Sequence, residues 1–135
     1  MRKEFIIPNQ ESSQEVMKTI LTWAGTLIEN SPMQKNRRWI PLLCFEELIT
    51  NIFRYGKLTY PSIINATIEI QKEGKVRLFI QDQGQFFDIK KHIVKRTANQ
   101  IGGGGIPLIK SLMQIKQHHE DGFNCTELIL NGDID

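Results

Sequence analysis

Glu47 and Asn51 stand four residues apart in Phe45-Glu46-Glu47-Leu48-Ile49-Thr50-Asn51. At about 100° of rotation per helical residue, that spacing returns both to one face, a turn apart. Metal-assisted phosphoryl chemistry needs an oxygen ligand for the ion and an acceptor that orients the attacking hydroxyl or water. The Asn51 amide and the Glu47 carboxylate can supply these. Taken alone, the pair reads more readily as the solvated polar face of an amphipathic helix.

Two further clusters change that balance. Asp82 and Gly84 follow a hydrophobic run, so a carboxylate emerges at a strand end beside a residue that lets the chain turn tightly. An acceptor there can take a hydrogen bond from an adenine amino group, although strand-end Asp and Gly also make ordinary turns. Gly102-Gly103-Gly104-Gly105 opens directly into Ile106-Pro107-Leu108-Ile109. Free amides at a helix start, unobstructed by side chains, seat a phosphate, and the competing reading is a flexible linker. Together the three clusters outline a nucleotide pocket. Between the last two lie Lys90, Lys91, His92, Lys95 and Arg96, where one or two cations can meet phosphate oxygens. His118 and His119 have no metal-ligand spacing to other His or Cys residues and read as surface groups, so no zinc site is expected. No Gly-x-x-x-x-Gly-Lys-Ser/Thr is present, and the glycine run follows a long polar loop rather than the first strand of a βαβ unit. A P-loop and a dinucleotide site are both disfavoured.

These residues need elements to position them. Phe5, Ile6 and Ile7 form a short β-favouring run closed by Pro8-Asn9, which suits an edge strand. Ser12 with Glu15 predicts a capping box for an amphipathic helix ending near Asn30-Ser31-Pro32. Pro41, in a first helical turn, opens a second helix that carries Glu47 and Asn51 and stops at Gly56. Ile64, Ala66, Ile68 and Ile70, then Val76, Leu78 and Ile80, alternate with polar neighbours around Lys72-Glu73-Gly74-Lys75, which predicts an antiparallel hairpin. Residues 83–105 are too long and polar for an ordinary connection and read as a binding loop. Ile106, Ile109, Leu112 and Met113 predict a third helix, and Thr126–Leu130 a last strand. The order β-α-α-β-β-loop-α-β implies an α+β fold, a mainly antiparallel sheet with helices on one side.

At 135 residues the chain fits one domain spanning 1–135. With 17 Lys+Arg against 15 Asp+Glu the net charge is +2, too small an excess for sequence-independent nucleic-acid binding. Cys44 falls in an apolar helical run and Cys125 in a predicted strand, and both read as buried thiols in a reducing compartment, not a disulfide. No apolar stretch approaches the ~20 residues of a membrane span, and Met1-Arg2-Lys3-Glu4 leads into a strand rather than a signal peptide. A cytoplasmic protein is expected.

The helix pair, Gln81-Asp82-Gln83-Gly84-Gln85-Phe86-Phe87-Asp88 and the glycine run, taken in order, resemble the histidine-kinase-like (GHKL) ATPase superfamily across nearly the whole chain. Within it the chain looks most like the small bacterial anti-sigma-factor serine/threonine kinases. The resemblance implies a two-layer α/β sandwich that binds ATP and Mg2+. In it Glu47 is the base, Asn51 the magnesium ligand, Asp82 the adenine-reading acid with Gly84 beside it, and Gly103 and Gly105 the phosphate cradle. Asn124-Cys125-Thr126-Glu127-Leu128 resembles the last family motif, which makes Thr126 a further adenine contact. By the same likeness the partners are a sigma factor, which it sequesters, and an anti-anti-sigma protein of the STAS type, which it phosphorylates, with a homodimer as the assembly. The alternative is a non-catalytic nucleotide-binding interaction module. A histidine-kinase fragment is disfavoured, since no histidine precedes Glu47. Tyr55 stands where many relatives have histidine, and Phe86 where the usual Asp-x-Gly-x-Gly has its second glycine, departures that bear on turnover more than on nucleotide binding.

Overall fold

Period-two alternation builds the sheet. In the computed structural model, which describes residues 1–85, 109 and 111–132, strands β2 (Ser62–Ile70) and β3 (Val76–Asp82) form the expected hairpin. Ile64, Ala66, Ile68, Val76, Leu78 and Ile80 are all buried on one face. Ala66 pairs with Ile80 and Ile70 with Val76. Gly74, at φ 85°, makes the turn in a left-handed conformation that only glycine adopts freely. The strand β1 (Arg2–Ile7) pairs with β2 at one edge. On the other side β5 (Phe123–Leu130) pairs with β3, and β4 (Gln114–Glu120) forms the far edge. Among the described residues the order is β1-β2-β3-β5-β4, and every pairing is antiparallel.

Helices α1 (Ser13–Glu29) and α2 (Trp39–Tyr55) pack on each other and on the apolar sheet face. Ile20, Ala24 and Ile28 recur every four residues as the buried stripe of α1. Cys44, Phe45, Leu48, Ile49 and Ile52 do the same for α2. Each fully buried aliphatic or aromatic side chain of this kind stabilises by roughly 1.5–3 kcal/mol. These stripes therefore decide how α2 is rotated over the sheet, and so where its polar residues point. Phe5 and Ile7 close the core from β1, the Phe5 ring meeting Trp23 edge-on at 5.6 Å. After α2 the Gly56 N–H donates to the Ile52 carbonyl. Among the described residues no helix is long and apolar enough to cross a membrane.

Two expectations are corrected. The predicted Ser12–Glu15 capping box does not form, since Ser12 makes no side-chain cap. Instead Asn9 Oδ1 accepts from the Ser12 N–H at 2.9 Å and the Ser12 hydroxyl at 2.8 Å, starting a short 3-10 turn ahead of α1. An Asx side chain three residues back satisfies the free amide, and the serine hydroxyl is used up as a donor. The second correction is β4, a strand where helix and loop are expected. Ile109, Ser111 and Leu112 are helical, but Gln114–Glu120 joins the sheet, placing His118 and His119 on a strand, and β5 begins at Phe123 rather than Thr126. An edge strand whose one buried residue is Ile115 carries no alternation to read.

The β4–β5 connection is Asp121-Gly122, with φ 53° and 81°. Two positive φ values match the twist of a two-residue hairpin, for which Asp-Gly is the preferred pair. A Cβ on Gly122 would meet nothing within 4 Å, so Gly122→Ala costs only backbone strain. The expected loss is about 1–2 kcal/mol in urea unfolding, and an unchanged midpoint would contradict this turn.

Candidate functional site

The alternation that fills the core also delivers the polar groups. Val76, Leu78 and Ile80 point inward from β3, and Asp82, two residues on, continues that face at the strand end. On β5 the inward series is Leu130, Leu128, Thr126 and Asn124. The register sets Ile80 opposite Thr126 and Asp82 opposite Asn124. Above them α2 brings Leu48, Asn51 and Ile52, with Gly56 after its end. Those three α2 residues and Gly56, with Asp82, Asn124 and Thr126 of the sheet, Gln85 and Gln117 of β4, wall a cleft at the end of the apolar layer.

Asp82 is only 4% exposed. Its Oδ1 accepts from the Gly84 N–H at 2.9 Å and from Asn124 Nδ2 at 3.2 Å. The same Asn124 amino group donates to the Gly84 carbonyl at 2.7 Å. Asn124 thus clamps both the carboxylate and the turn after it. Burial pushes the Asp82 pKa above its usual range, while the hydrogen bonds from Asn124 and Gly84 pull it back. Among the described residues Oδ2 accepts no hydrogen bond, which leaves one oxygen of a fixed carboxylate for a donor in the cleft.

Gly84 is there for space. A Cβ on it would lie 2.5 Å from the Gly56 carbonyl oxygen and 3.0 Å from Leu58 Cδ2. The Gln85 N–H donates to that same carbonyl, tying the segment after β3 to the end of α2. Thr126, 3% exposed, uses its hydroxyl to accept from Gln117 Nε2 at 3.2 Å.

Asn51 is 8% exposed and lines the cleft, and its side chain makes no hydrogen bond to the described residues. A hard amide oxygen held there fits Mg2+, which binds through few protein oxygens and keeps the rest of its shell for water and phosphate. Glu47, one turn earlier, is half-buried and is not part of the cleft wall. Burial and then the Glu47 charge push the Cys44 thiol up to about 11, so that cysteine stays protonated. Of the residues expected from sequence, the structure brings together Asn51, Asp82 and Thr126, with Gly84 beside them, and leaves Glu47 at the margin. Gly103, Gly105, the loop cations and Phe86 lie outside the described residues. Tyr55 is 42% exposed at the end of α2, its ring 5.9 Å from the Arg54 guanidinium, and does not wall the cleft. Asn124, Gln117 and Gln85 are the site residues that sequence reasoning missed. Asn124 could have been found as a polar residue on the inward parity of β5, whereas Gln117 required β4.

The raised Asp82 pKa has a consequence for stability. A carboxyl whose folded pKa lies above its ordinary 3.8 contributes stability fully below that value and loses it as pH rises through the folded pKa. Asp82→Asn keeps the oxygen that Gly84 and Asn124 donate to and removes the charge. Thermal melts at neutral pH are expected to give a Tm equal to or above that of the parent, the difference vanishing below pH 3.8. A lower Tm at neutral pH would contradict the burial of this charge.

No protein of curated function matches this chain. The family model of the histidine kinase-like ATPase domain matches residues 11–130, a span that includes α1, α2, β2 to β5 and the described walls of the cleft. The chain belongs to the histidine kinase-like ATPase domain family.

Proposed function

We propose that this protein binds ATP with Mg2+ in the cleft between α2 and the β3–β5 end of the sheet. On this reading it transfers the γ-phosphoryl group to a serine or threonine of a STAS-type anti-anti-sigma protein, and it also sequesters a sigma factor. The observation that carries the nucleotide part is Asp82: a buried carboxylate, oriented through one oxygen by Gly84 and Asn124, whose other oxygen takes no hydrogen bond among the described residues, at the wall of the cleft. Such an acceptor selects a purine with an exocyclic amino group and rejects one with a carbonyl in its place.

Thr126 would border the base and Asn51 would hold the metal, which when bound would supply neutralisation of phosphate charge. By the family likeness, Gly103 and Gly105 would be the residues whose amides receive the phosphates. Glu47 accepts the proton of the attacking hydroxyl. The kinase role, the two partners and a homodimer follow from the likeness to anti-sigma-factor kinases, and a single domain from a length of 135 residues. The position of Glu47 outside the cleft wall favours a second reading, a module whose nucleotide shapes a partner surface without transfer.

Calorimetry with ATP and Mg2+, followed by labelled ATP with a candidate partner, separates the two. Asp82→Asn is expected to weaken ATP binding by about tenfold or more, the worth of a hydrogen bond to a charged group. Asn51→Ala is expected to remove the magnesium dependence of binding. Glu47→Ala should spare binding and lower transfer by roughly 10²–10⁴-fold. Transfer unaffected by Glu47→Ala would reject it as the base, and ATP affinity unaffected by Asp82→Asn would reject the adenine assignment.

A further inference from the structure

The outer face of the β4–β5 hairpin carries a second cluster of chemistry-bearing side chains. His118 pairs directly with Cys125 across the two strands, and Glu120 pairs with Phe123, so that His118, Glu120 and Cys125 share a face. His118 Nε2 lies 3.2 Å from Glu120 Oε2. The imidazole, carboxylate and thiol donor atoms all fall within 4.8 Å of one another. The Cys125 residue is 1% exposed, while the His118 and Glu120 side chains above it are 55% and 65% exposed.

We propose that His118, Glu120 and Cys125 form a binding site for a zinc-class divalent ion on the sheet face opposite the nucleotide cleft. One nitrogen, one oxygen and one sulfur donor are a set that Zn2+ accepts and that Mg2+ and Ca2+ do not. At zinc bond lengths, tetrahedral ligands stand about 3.5 Å apart. The exposed imidazole and carboxylate need only small rotations to close on an ion seated over the sulfur. The backbone beneath them is set by the ladder and by the Asp121-Gly122 turn, so little ordering is required of the chain. A second observation points the same way: Gln81 Nε2, from the neighbouring β3, donates to Cys125 Sγ at 3.7 Å. An amide N–H aimed at the sulfur from the neighbouring strand is the kind of outer contact that orients a metal ligand. Binding releases the thiol proton to solvent, and three protein ligands leave a fourth position for water or an external donor.

The test uses the full chain, reduced and free of nucleotide, titrated with Co2+ and then with Zn2+. One equivalent of Co2+ is expected to produce the near-ultraviolet thiolate-to-cobalt charge-transfer band, and Zn2+ to abolish it. The band should vanish in Cys125→Ser and persist in Cys44→Ala. His118→Gln and Glu120→Gln should each weaken Co2+ binding by roughly tenfold or more. These two are exposed substitutions that leave the fold intact, so they decide the matter even if the cysteine variant misfolds. Absence of the band in the parent protein, its survival in Cys125→Ser, or unchanged Co2+ affinity in both exposed variants would overturn the site.

Discussion

The cleft depends on one constraint, the burial of the Asp82 carboxylate at a strand end where it has to be satisfied by its own fold. A buried charge without partners costs several kcal/mol or takes up a proton. Here the Gly84 N–H and the Asn124 amide meet one oxygen, and the Asn124 amide also holds the Gly84 carbonyl. That arrangement exists only in one register. Asp82 faces Asn124 because Leu78 faces Leu128 and Ile80 faces Thr126 further along the same ladder. A slip of β5 by one residue against β3 would turn Leu128, Thr126 and Asn124 to the outer face while Ile80 and Asp82 stayed inward, so the core specifies the polar cluster as firmly as it specifies itself.

The helix layer adds a second closure. The Gly56 carbonyl, just past α2, accepts from the Gln85 N–H and sits where any side chain on Gly84 would have to go. The end of α2 and the segment after β3 are thereby held at backbone contact, and Asn51, one turn inside that helix end, is carried to the mouth of the cleft. Leu48 and Ile52 occupy the core face of the same helix and fix its rotation. An amide oxygen and a carboxylate from segments about thirty residues apart in sequence converge because apolar neighbours one or two positions away have only one place to pack.

Much of this was legible in the chain itself, for reasons that also mark where legibility ends. The β2–β3 hairpin announces itself by alternation, and both long helices by their four-residue stripes, since each has one buried and one wet face. Asp82, Asn51 and Thr126 were expected in one pocket and are found there. β4 was not foreseen, because an edge strand buries little and in its sequence, Gln-Ile-Lys-Gln-His-His-Glu, only Ile115 is buried. With that strand went Gln117, which supports Thr126, and the pairing of His118 with Cys125. Their separation of seven residues has meaning only across a hairpin whose turn is known. The start of α1 misled for a different reason: a Ser-x-x-Glu pattern and an Asn three residues earlier compete for the same amide, and local geometry chose the asparagine.

Strand β5 joins the two faces. Asn124 and Thr126 point into the cleft while Cys125, between them, points out, so one stretch of backbone serves the carboxylate clamp and the outer donor cluster at once. Period two forbids these groups from contacting each other and forces them to share a position in space. A ligand on either face that stiffens this backbone does so for both. The ladder to β3 passes through Gln81 opposite Cys125 and Asp82 opposite Asn124, adjacent pairs that tie the same two strands. Any coupling between the faces therefore runs through displacement of β5 relative to β3 rather than through a side-chain relay, because no side chain passes through a sheet.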